Sequence, residues 1–120
     1  MKAHFYSISN DDTIKFISDL KKDNNTYMFL DKSLENTHIL LSINNKDNLL
    51  LKRIGDTTMN MDFQLGKKTK GNYKNNMGLE FDFLIFTKKI FISEEKINIE
   101  YDFIFDGVIN NSYKIYVLIK

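Results

Sequence analysis

A closed antiparallel β-barrel is the architecture this sequence predicts: one all-β domain over residues 1–120, up-and-down in order, with about eight to ten strands. Three observations predict it. Apolar and polar residues alternate with period two along most of the chain, as in a sheet with one buried face. Turn-forming residues recur at short, even spacing, and no apolar stripe of helical period appears. Successive strands joined by tight turns favour up-and-down order, and such a sheet hides its edges best by closing on itself.

The elements follow in order at 2–9, 13–21, 26–32, 37–43, 48–54, 57–65, 68–74, 78–87, 97–105 and 111–120, with a short piece at 89–92. The alternation is clearest after residue 56. Met59, Met61 and Phe63 alternate with Asn60, Asp62 and Gln64, and Phe81 and Phe83 with Glu80 and Asp82. Ile97, Ile99, Tyr101, Phe103 and Phe105 form a third series, and Tyr113, Ile115, Val117 and Ile119 a looser fourth. Asp106-Gly107 between two such runs is the strongest hairpin signal. Gly55-Asp56, Leu65-Gly66, Asn75-Asn76-Met77-Gly78 and Glu94-Glu95-Lys96 mark further reversals. In the first half, Asn10-Asp11-Asp12, Asp23-Asn24-Asn25 and Asn44-Asn45-Lys46-Asp47 do the same. Ser33 to Leu41 is ambiguous, because Ser33 is able to cap a single helical turn.

Composition narrows the chemistry. Cysteine is absent, which excludes disulfides, thiol catalysis and thiolate metal sites. The two histidines, His4 and His38, lie on separate strands without metal-ligand spacing. No phosphate-cradling glycine loop and no catalytic motif is visible, so neither a cofactor nor an enzymatic activity is expected. A net charge of +1 argues against a nucleic-acid partner. The one basic cluster, Lys67-Lys68-Thr69-Lys70-Gly71-Asn72-Tyr73-Lys74, reads as lysine protection of a sheet edge before it reads as a phosphate-and-base platform. No signal-peptide core or bilayer-length apolar run appears, so a cytoplasmic protein without a membrane is the expectation.

Arg53 is the only arginine among seventeen basic residues. In a chain that otherwise spends lysine, a single guanidinium suggests a place needing its planar, five-donor geometry. It shares the parity of Leu49 and Leu51, which allows it to point inward; the alternative is that it caps one barrel end, bonding loop carbonyls or stacking on Tyr or Phe. A buried guanidinium needs an acceptor; the candidates are Tyr73, Tyr101, Asp62 or a ligand.

The run Leu51-Lys52-Arg53-Ile54-Gly55-Asp56, followed by Met61-Asp62-Phe63, Leu65-Gly66-Lys67-Lys68-Thr69, Tyr73 and Gly78, resembles the YwiB-like family of small bacterial proteins. Thr87, Tyr101 and Asp106-Gly107 fit its later motifs, and the resemblance is closest over residues 50 to 120. Two departures stand out. The family's Thr-Pro turn is Asn75-Asn76 here, and the glycine of its second strand is missing near Asp19-Leu20-Lys21. The resemblance implies a calycin, or lipocalin-like, barrel and no known activity, the family being a domain of unknown function. In calycin barrels an interior arginine is able to hold a ligand carboxylate bidentately.

Two readings of function follow. In the first, the barrel interior binds a small amphipathic or anionic ligand, with Arg53, Met61, Phe63, Tyr73, Phe83 and Tyr101 as binding residues. In the second, the core is filled, Arg53 caps one barrel end, and the protein is an interaction module or a homodimer. An enzyme using Tyr73, Tyr101 or His38 is a weaker third. A cavity of a few hundred Å3 separates the first from the second.

Overall fold

The computed structural model describes residues 1–120 as ten strands and no helix. They are β1 (Lys2–Ile8), β2 (Thr13–Asp23), β3 (Thr26–Leu30), β4 (Thr37–Asn45), β5 (Asn48–Gly55), β6 (Thr57–Gln64), β7 (Lys68–Asn75), β8 (Glu80–Ile92), β9 (Lys96–Phe105) and β10 (Val108–Ile119). Each pairs antiparallel with its chain neighbours, and β10 pairs with β1 to close the barrel. The expected alternation sets which side chains fill it. Phe5, Phe29, Ile39, Leu41, Leu49, Leu51, Met61, Phe63, Ile85, Ile97, Ile99 and Ile115 are fully buried.

Three local departures from simple alternation have visible causes. Lys88 and Lys89 both face solvent because β8 bulges between Thr87 and Lys89, which returns Ile90 and Ile92 to the interior. The segments at 78–87 and 89–92 are therefore one strand. Asp106 and Gly107 both take positive φ (53° and 75°), the two-residue turn whose twist matches a hairpin. Phe105 then pairs with Val108, so β10 begins three residues earlier than its alternation indicates, and a bulge at Ile109/Asn111 restores parity. Phe105 consequently sits at the rim, edge-on to Phe81 at 5.4 Å, while Ile104 is buried.

The ambiguous stretch at 33–41 is loop and strand. The Asp31 amide donates to the Thr37 carbonyl at 2.9 Å, closing residues 31–36 into a loop before β4. Asn75 does the work of the absent Thr-Pro turn: its Oδ1 accepts from the amides of Met77 (3.0 Å) and Leu79 (3.1 Å).

Pairing is short at two corners. β2 meets β3 only over Leu20–Asp23, and β6 meets β7 only over Thr57–Asn60. The first corner opens where the second-strand glycine is missing.

Candidate functional site

One end of the barrel carries the turns at 9–12, 31–36, Asp56, 76–79 and 106–107. Beneath them lies a cavity of about 290 Å3. Its walls are mainly apolar: Met59, Met61, Phe103 and Ile115 from the strands, with Ile14 and Leu34 near the opening. Tyr73, Tyr101 and Tyr113 add hydroxyls, and Ser7, Ser33 and Thr57 complete the polar part together with Arg53.

Arg53 points inward, as its parity allows, and its partner is a residue outside the expected set. The buried Asp31 carboxylate accepts from Arg53 Nε at 2.9 Å. Asp31 is itself fixed, because its other oxygen accepts from the Ser33 amide at 3.0 Å and from the Ser33 hydroxyl. Arg53 Nη1 lies 3.5 Å from the Met59 sulfur, a weak acceptor. Nη2 donates to no protein atom, so the outer part of the fork borders the cavity while Nε anchors it. The other candidate partners are placed elsewhere. Asp62 accepts from Asn48 (3.1 Å) and Gln64 (2.7 Å), and Tyr73 and Tyr101 share the cavity without bonding the guanidinium.

The aromatic residues build the walls in pairs. Tyr101 stacks on Tyr113 at 5.3 Å, and Tyr73 on Phe81 at 5.1 Å. Burial pushes the Tyr101 hydroxyl well above the usual tyrosine range, against a smaller opposing pull from Arg53. The phenol therefore stays neutral and remains a donor at physiological pH.

Of the six residues expected to bind, Arg53, Met61, Tyr73 and Tyr101 line this cavity. Phe63 and Phe83 do not. Phe63 packs on the Tyr101 ring at 4.9 Å and Phe83 on Phe103 at 4.7 Å, so both support lining rings from behind. Sequence reasoning missed Asp31, Leu34 and Tyr113. Asp31 had a signal: it has the inward parity of Tyr27 and Phe29, where a carboxylate demands a partner. His38 lies exposed on the outer face of β4, away from this cavity. Tyr73 faces inward, so the lysine-rich hairpin presents no stacking ring to solvent.

The class these features define is a closed ten-strand up-and-down antiparallel β-barrel with a cavity at one end. The chain belongs to the family described as "Domain of unknown function (DUF1934)", whose model matches residues 2–117. Among solved structures it is similar to the ywiB protein from Bacillus subtilis, with a TM-score of 0.71 and 22% sequence identity over 97% of this chain and 87% of that one. That likeness concerns the fold. No curated protein matches the chain.

Proposed function

We propose that this protein binds a small amphipathic ligand at the barrel end, its apolar body among Met59, Met61 and Phe103 and an acceptor oxygen of its head group at Arg53. The observation that carries this reading is the combination of a mainly apolar cavity of 290 Å3 with a guanidinium whose Nη2 donates to no protein atom and whose Nη1 meets only the Met59 sulfur, a weak acceptor. Ligand pockets begin at about 300 Å3, so the cavity suits a ligand at the small end of the range. Asp31 already balances the charge of Arg53. Neutral carbonyl heads therefore compete with carboxylates more effectively than at a lone arginine.

The test uses the amphipathic anion 1-anilinonaphthalene-8-sulfonate as a fluorescent probe, displaced by octanoate or by neutral octanamide. Saturable binding that either competitor reverses, weakened by Arg53→Lys, supports the reading. A charge-assisted hydrogen bond contributes about 1.5–3 kcal/mol, so the loss is roughly ten- to a hundred-fold. Absence of saturable binding, or binding indifferent to Arg53→Lys, contradicts it.

A further inference from the structure

The short pairing between β2 and β3 leaves a strand edge without a partner. Lys2 and Lys120 exchange both backbone bonds, and Leu20 donates to Met1. By antiparallel alternation, the even residues of β2 then bond to β1, and the odd ones face the β3 side. There the ladder starts only at Leu20–Phe29. The amides and carbonyls of Lys15, Ile17 and Asp19 therefore point at an open edge. Exposure agrees: Ile17 is 50% exposed, and Ile14, at an inward position, is 37% exposed.

The other weakly paired corner is bridged across its gap and this one is not. Between β6 and β7 the Thr69 hydroxyl donates to the Asp62 carbonyl across the gap, and Lys67, Lys68 and Lys70 guard it. No side-chain bond bridges Thr13–Asp19 to β3 or its loop.

We propose that β2 pairs with β2 of a second copy of this chain, antiparallel about a two-fold axis at Ile17. The register follows from charge. Centred on Ile17, Lys15 faces Asp19 of the other copy twice, and the exposed Ile17 side chains meet on the axis. Every bonded pair then joins odd residues, the ones whose backbone groups are free. Centring on Lys15 or Asp19 sets like charges opposite each other, which is destabilising. A two-fold contact of this kind uses the same edge on both copies and closes after two, so no fibre follows. This inference is independent of the ligand reading.

Sedimentation of the full chain tests it. Wild-type protein is expected to be a dimer at the concentrations of an NMR sample. Lys15→Glu alone sets Glu against Asp19, and Asp19→Lys alone sets Lys against Lys15, so each variant becomes monomeric. Mixed together, they restore unlike pairs on both sides of the axis and dimerise. Ile17→Pro blocks the central bonds without removing one to β1, because the Ile17 amide faces outward; it too becomes monomeric. A monomeric wild type, a dimer that survives all three substitutions, or charge variants that stay monomeric when mixed while retaining wild-type circular dichroism, each overturns the proposal.

Discussion

Replacing Asp31 with asparagine preserves the shape of the side chain and its acceptor toward the Ser33 amide, but it turns the carboxylate facing Arg53 neutral. The carboxylate is fully buried and the Arg53 side chain is 14% exposed, so water reaches the guanidinium only at its margin. Removing one member of a buried pair costs about 3–5 kcal/mol. Because the margin of the Arg53 side chain stays exposed, the lower end applies, about 3 kcal/mol. For a domain of this length that corresponds to a fall in Tm of roughly 10 °C. Urea unfolding followed by tyrosine fluorescence reads it as a shift in midpoint at constant slope. The double variant Asp31→Asn, Arg53→Met removes the orphaned charge as well and is expected to be more stable than Asp31→Asn alone. A loss below about 1 kcal/mol for Asp31→Asn, or a double variant as unstable as the sum of its parts, refutes the assignment of the pair as a buried unit.

Other outcomes follow from the same geometry. Gly55→Ala places a Cβ against the Asn36 carbonyl in the loop carrying Asp31, and is expected to cost at least about 3 kcal/mol in urea unfolding. Gly71→Ala drives a methyl into the buried Phe83 ring, an overpacking expected to cost about 1–3 kcal/mol by the same assay. Tyr101 has a raised folded-state pKa, so its contribution is complete below the unfolded tyrosine value of about 10 and is lost as pH climbs beyond it. Thermal melts of the wild type should therefore fall more steeply above that pH than those of Tyr101→Phe. Asp102 is held below the usual carboxylate range: partial burial opposes this, and hydrogen bonds from Ser112 (2.6 Å) and Lys88 (2.9 Å) prevail. Its contribution is present at neutral pH and fades as pH falls toward and below 4, and Ser112→Ala should move that fade to higher pH in an NMR titration of the Asp102 carboxyl.

The alternation of Met59, Met61 and Phe63 against Asn60 and Asp62 made the register of β6 legible, because shifting a strand by one residue would expose its whole apolar set. The same parity allowed an inward Arg53 but left it open against a role capping the barrel end. Its partner was not legible, since residues 26–32 read as a continuous strand and an aspartate at its end reads first as solvated charge. The chain turns off β3 after Leu30, and Asp31 is buried as an anchor for that loop. The β8 bulge left a trace in the doubled Lys88-Lys89, which breaks period two. The open edge of β2 left none, because it depends on how far two distant strands stay within bonding reach.

The chain has five methionines, and the structure separates them cleanly: Met59 and Met61 line the cavity, while Met1, Met28 and Met77 are exposed elsewhere. Methyl-labelled methionine NMR during an octanoate titration therefore tests cavity occupancy directly. Saturable shifts at Met59 and Met61, with the other three methyls unmoved, are the predicted result. Unmoved signals at both lining methionines, or shifts confined to Met28 and Met77, would contradict a ligand inside the barrel.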